Sequence, residues 1–162
     1  AEKYYFKAYS LGIKKAMDNL AYLFYIDLKN NEKLKLILKK WSYNSINKRQ
    51  YQVLSQIWNG DMNGIQQEVI SLTKEKGGID EMFLTHLLVH HQKNLVWKLF
   101  NNEEIGTRLK NKFAPLYYAT SQLIDNEESK LNLLKIPPEI EETVQKILSE
   151  IEKLRNEYYP KK

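Results

Sequence analysis

All three histidines of this chain, His86, His90 and His91, fall in one short stretch that opens on Asp80. His86 and His90 are four residues apart, which on a helix places both imidazoles on one face, a spacing that can ligate a metal ion. In zinc hydrolases built on that spacing a Glu directly follows the first His and acts as base; here the position holds Leu87. A third ligand would have to come from Asp80 or Glu81. The surroundings favour a different reading, polar residues at the end of a buried helix, and no metal is expected. Neighbouring carboxylates (Asp80/Glu81, Glu103/Glu104, Glu127/Glu128, Glu141/Glu142) could in principle share acid–base work. All fall near expected helix starts or in loops, where capping and the helix dipole already account for them. The chain has no Cys, which excludes disulfides, thiolate metal sites and a Cys nucleophile. G-x-S-x-G, P-loop and G-x-G-x-x-G motifs are absent as well. No catalysis and no cofactor are expected.

The elements that would position these residues are helical throughout. Met17, Leu20, Ala21, Phe24 and Leu28 form one apolar stripe, and Leu34, Ile37, Leu38 and Trp41 form the next. Val53, Leu54, Ile57 and Trp58 end at Asn59–Gly60, a helix stop. A further helix is expected from about Met62 to Lys76, with Ile65, Val69 and Leu72 inward and Gly77–Gly78 ending it. The stretch from Asp80, a plausible N-cap, to His91 is apolar on most sides, which suits a helix central to its domain. A short helix carrying Leu95, Val96, Leu99 and Phe100 comes next. Pro115 is placed to start a helix at its first turn, and Ile136–Pro137–Pro138 marks a boundary. Beyond it Ile140, Val144, Ile147, Leu148, Ile151, Leu154 and Tyr158 mark one side of the last helix. No alternating strand pattern and no hairpin signal is present.

The first 25 residues carry a second kind of pattern. Ala1, Tyr4, Tyr5, Ala8, Gly12, Ala16, Asn19, Leu20, Ala21 and Tyr25 have the spacing of two helices that meet at a Gly, with small residues where the backbones approach. In those positions the chain resembles the Sel-one-like branch of the tetratricopeptide superfamily. A vaguer likeness, in Lys112–Ala119, is to the irregular C-terminal parts of bacterial tetratricopeptide proteins. The resemblance implies an α-solenoid that scaffolds other proteins, with no catalytic residues to carry over. The Gly-Ala-Leu-Ala set does not recur, so a regular array is not expected. The expected fold is therefore all-α: a single α-solenoid domain, a tetratricopeptide-like superhelix of antiparallel helix pairs over 1–162. Residues 1–60 would be the repeat unit and a basic helix pair, 61–136 degenerate pairs, and 137–162 a polar capping helix that shields the last pair.

An interaction module needs a contact surface. The aromatic share is 12%, and Tyr offers rigid, amphipathic contact area. Tyr5, Ala8, Ala16 and Leu20 are expected to pack between helices, whereas Tyr9, Tyr22 and Tyr43 fall off the main stripes and are candidates for a partner. Charge is uneven. Residues 1–60 hold 11 Lys/Arg against 4 Asp/Glu, net +7, and residues 61–162 hold 14 against 16, net −2. Lys35, Lys39 and Lys40 join the candidate surface, and a protein or peptide with acidic, amphipathic character is the expected partner. The alternatives are a nucleic-acid-binding module using the basic half, or a docking segment of a larger enzyme. Against nucleic acid, Lys33 and Lys40 share one helical face while Lys35 and Lys39 lie on another, so the charge is not focused; repeated readout positions are missing too. No segment approaches the ~20 apolar residues of a membrane span, no signal sequence is visible, and no membrane partner is expected. The chain starts at Ala1, without Met and inside the repeat pattern. It is expected to be a piece of a longer, cytoplasmic protein.

Overall fold

The computed structural model describes residues 2–11, 13, 15–42, 44–128 and 135–161, the side chains of 125–128 excepted. Among them the chain is all-helical, with no strand. Its internal contacts divide it into two compact units, Ala1–Gly78 and Ile79–Lys162.

In the first unit α1 (Glu2–Ser10), α2 (Lys15–Tyr22), α3 (Asn31–Lys40), α4 (Ile46–Trp58) and α5 (Ile65–Lys74) pack each on the next, and α2 also touches α4. The core is the set of apolar faces expected from periodicity: Met17, Leu20, Ala21 and Phe24 from α2 and its extension, Leu34 and Ile37 from α3, Val53, Leu54 and Ile57 from α4, and Ile65, Val69 and Leu72 from α5. Side chains cap the starts of α3 and α4, where Asn30 and Ser45 accept from the backbone amides of Lys33 and Lys48 at 3.1 Å. Gly60 and Gly64 take the positive φ that the α4–α5 turn needs.

Two expectations fail in this unit for local reasons. The stripe through Leu28 breaks because the chain continues α2 as a π-helical turn over Leu23–Asp27, with the Leu28 amide bonded five residues back to the Leu23 carbonyl at 2.9 Å. One extra residue in that turn rotates the later positions, so Tyr25 is fully buried and Leu28 is 52% exposed. The helix expected from Met62 starts only at Ile65, because residues 61–64 form a turn in which the Asp61 carboxylate accepts from the Asn63 amide at 3.0 Å.

The second unit contains α6 (Glu81–Val89), α7 (Lys93–Phe100), α8 (Gly106–Lys112), α9 (Ala114–Glu128), a 3₁₀ turn over Pro138–Ile140, and α10 (Glu141–Tyr158). Asp80 caps α6 by accepting from the Phe83 amide at 2.8 Å. As its all-round apolarity suggests, α6 is central, in contact with α7, α9 and α10. Pro115 sits in the first turn of α9. Along α10 the deeply buried positions are Val144, Ile151 and Tyr158, and the helix lies against both α9 and α6. Helix α8 has no counterpart in the periodicity, since Leu109 is its one buried apolar side chain. Gly106 opens it because a Cβ there would collide with the Phe100 carbonyl oxygen.

Candidate functional site

A groove of about 620 Å³ runs along α4 between α3 and α5, within the size range of peptide and small-molecule sites. Its base is apolar, with Val53 and Ile65 buried and Leu38 half-buried. Above that base α4 contributes Gln52 and Gln56 and its C-cap contributes Asn59, one side chain per turn on one face, so three amides stand in a row. The α4–α5 turn adds Asp61 and Asn63, and α3 adds Lys35.

One cation fixes the groove's width. The Arg49 guanidinium, in the first turn of α4, donates to the Glu68 carboxylate through Nε and Nη2, to Glu75 Oε1 at 3.1 Å and to Ser71 Oγ at 3.2 Å. These bonds, Glu68's first and Glu75's second, raise its pKa above the usual guanidinium value, and they lock α4 to α5. At the other wall Asn31 and Ser55 exchange hydrogen bonds, Ser55 Oγ to Asn31 Oδ1 at 2.7 Å, tying α3 to α4. Gln56 donates to the Asn63 carbonyl at 2.7 Å and orders the turn. Within the groove two cations, Lys35 and Arg49, face two carboxylates, Asp61 and Glu68. The lining thus offers amides and shape more than net charge.

Of the sequence-predicted contact residues only Lys35 lines this groove, with its ammonium 3.3 Å from Glu32. Lys39 is exposed one turn further along the same face of α3. Lys40 turns the other way and lies 5.1 Å over the Phe6 ring, as Lys33 turns to Glu2 at 3.2 Å. Tyr9 is engaged inside the unit. Its hydroxyl oxygen is 2.9 Å from Ser42 Oγ and accepts from the Ser42 amide at 3.3 Å, contacts that hold its pKa below 10.0. Tyr22 is 50% exposed, away from the groove. Tyr43 lies outside the described residues. Tyr4, first of the Tyr pair, is 73% exposed and packs edge-on to Tyr5. Arg49 and the amide row escape a reading by periodicity; three polar residues at helical spacing on an otherwise apolar-stripe helix are the available signal.

The histidines form a different kind of cluster, in the second unit. His86 and His90 are buried where the end of α6 meets the end of α10. His86 packs edge-on to Tyr158, His90 packs on Tyr158 and Tyr159, and His90 Nδ1 is 2.6 Å from the Tyr159 hydroxyl. Burial, then the nearby His86 and His91, push the His90 pKa down to about 3. Arg155, in the last turn of α10, donates from Nη2 and Nε to the Leu88 carbonyl at 2.7 and 3.2 Å. Among the described residues no three His, Asp or Glu side chains are grouped to hold a metal ion; Asp80 is at the far end of α6, occupied as its cap.

Compared with known families, curated proteins and solved structures, the chain matches none.

Proposed function

We propose that this chain is a non-catalytic interaction module that holds a peptide segment of a partner protein in the groove along α4. The observation that carries this reading is the row of Gln52, Gln56 and Asn59 above an apolar base, held at fixed width by the Arg49 and Asn31–Ser55 ties. Side-chain amides both donate and accept, so such a row can bond the amides and carbonyls of an extended chain whatever its sequence, while Val53, Leu38 and Ile65 supply apolar contact. Lys35 and Lys39 along the α3 wall favour acidic residues in the ligand. The groove's two carboxylates are engaged by Arg49 and the Asn63 amide, an arrangement suited to scaffolding, as is the resemblance of the first 25 residues to a scaffolding repeat family. The solenoid and its stacked helix pairs belong to this same proposal.

The test is selection of a random peptide display library on the whole chain, followed by fluorescence anisotropy with an enriched peptide. Gln52→Ala/Gln56→Ala should weaken binding about tenfold or more, since two hydrogen bonds of about 1 kcal/mol each are lost. Lys35→Glu/Lys39→Glu should disfavour acidic peptides. If nothing is enriched, or if the enriched peptides bind the groove variants as they bind the wild type, the proposal is wrong.

A further inference from the structure

We propose that the outer face of α1 docks this chain on an anionic lipid surface, with Tyr4, Leu11 and Ile13 entering the interface and Lys3, Lys7 and Lys15 meeting the headgroups. This surface is separate from the groove. Helix α1 contains no buried residue. Its inner side is fastened: Tyr9 to Ser42, Glu2 to Lys33 at 3.2 Å, and Phe6 beneath the Lys40 ammonium at 5.1 Å. Its outer side presents Tyr4, Lys7 and Leu11 at i, i+3 and i+7, one face of a helix. The Leu11 amide still bonds the Lys7 carbonyl at 3.1 Å, so Leu11 keeps the helical register one residue past Ser10. Tyr4 and Leu11 are each 73% exposed and Ile13 is 53% exposed, the first two among the most exposed large apolar side chains of the unit.

Charge selects the occupant. Lys3 and Lys7 on α1 and Lys15 at the start of α2, each within two residues of one of these apolar side chains or on its helical face, are all exposed, and the sole acidic residue of α1, Glu2, is tied to Lys33. The whole first unit carries 13 Lys/Arg against 7 Asp/Glu. Isolated apolar side chains that stand out from a helix need a matching pocket in a protein partner. A lipid interface needs none, because headgroups move aside for them. Tyr suits that boundary, with an apolar ring and a polar tip, and a basic surround is drawn to anionic headgroups. The association is peripheral: no helix among the described residues is long and apolar enough to cross a membrane.

The experiment is co-sedimentation of the whole chain with vesicles of phosphatidylcholine, with or without phosphatidylglycerol, at low and high salt. Retention is expected on the anionic vesicles alone, and high salt should weaken it. Each cation removed from such a surface lowers partitioning about fivefold; Lys3→Gln/Lys7→Gln/Lys15→Gln should therefore lower it about a hundredfold. Lys74→Gln/Lys76→Gln/Lys98→Gln, at exposed positions, makes the same change in net charge elsewhere and should stay close to wild type. Tyr4→Ser/Leu11→Ser should lower partitioning at least several-fold with the circular dichroism and melting midpoint unchanged. Leu11→Gln, which lies beyond the helix, reads the same insertion without touching α1. The groove variants should bind vesicles normally. The proposal is overturned if anionic vesicles do not retain the chain, if the two lysine variants lose equally, if the Tyr4/Leu11 variants bind as wild type, or if polyglutamate captures the chain while vesicles do not.

Discussion

Acid should loosen the second unit through His90. Its ring is almost wholly buried, with His86 beside it on α6, His91 in the following turn, and Tyr158 and Tyr159 packed on it from the end of α10 and its C-cap. Two effects oppose each other at this position. As the C-cap of α6 the imidazolium would gain from the negative end of the helix dipole, at most about 2 kcal/mol. Desolvation and the neighbouring histidines outweigh it, because the pKa falls from 6.5 to about 3. A base whose folded pKa is depressed adds stability that is complete above 6.5 and is lost as pH falls toward 3. At 1.36 kcal/mol per unit, about 2 kcal/mol is gone by pH 5 and about 5 kcal/mol below pH 3, a large part of a typical unfolding free energy. His90→Gln keeps a polar side chain and removes the titration. Urea unfolding at pH 7.5 and pH 5 can be followed by the indole NMR signals, Trp97 reporting the second unit and Trp41 and Trp58 the first. The unfolding free energy read at Trp97 should fall by about 2 kcal/mol more in the wild type than in the variant. Equal losses in the two proteins would refute the argument.

Three further outcomes rest on local geometry. Gly106→Ala should destabilise by about 1–3 kcal/mol in thermal unfolding, because the new Cβ meets a backbone oxygen, Phe100 O, that no rotamer change can move. His91→Gly should stabilise by up to about 1 kcal/mol: His91 occupies the left-handed C′ position of a Schellman motif, φ +66°, with the Gln92 amide on Leu87 O and its own amide on Leu88 O. A loss on the same urea curve would show that its contact with Tyr159 matters more. Arg49→Met should cost about 1–2 kcal/mol, since it leaves Glu68 and Glu75 without their cation but places both where water reaches them; the same variant should weaken peptide binding in the groove, measured by anisotropy.

Periodicity makes much of this molecule legible and also marks where legibility stops. Stripes such as Ile65, Val69 and Leu72, or Leu95, Val96, Leu99 and Phe100, are buried as their spacing implies, because one apolar face at 3.6-residue spacing has a single way to be covered. The reading fails where the period itself changes. The π-helical turn at Leu23–Asp27 sends Leu28 outward with no Pro or Gly to announce it. It fails again where a helix buries a single large apolar side chain, as α8 buries Leu109. Cap residues are visible one at a time, Asp80 being an example, since an N-cap acts within its own helix. The ties that shape the groove span 19 to 26 positions, Arg49 to Glu68 and Glu75 and Asn31 to Ser55. Nothing in a helical pattern states which partner a distant Arg will meet.

Side-chain chemistry therefore changes meaning once packing is known. The i, i+4 histidine pair, a possible metal face by spacing alone, is turned onto Tyr158, and burial there lowers the pKa of His90. The basic helix divides by face: Lys33 and Lys40 brace α1, while Lys35 and Lys39 run beside the groove. Bracing by Lys33 neutralises Glu2, the one acid on α1, and leaves the exposed side of that helix cationic around Tyr4 and Leu11. A Lys33→Glu change should thus act at a distance from its own position. It places two carboxylates where an ion pair was, detaches the start of α1, and should weaken vesicle retention although Lys33 belongs to neither the apolar face nor its lysine rim, with peptide binding in the groove, on the opposite face of α3, left intact. Loss of both activities together would mean that α1 and the groove form one structural element rather than two.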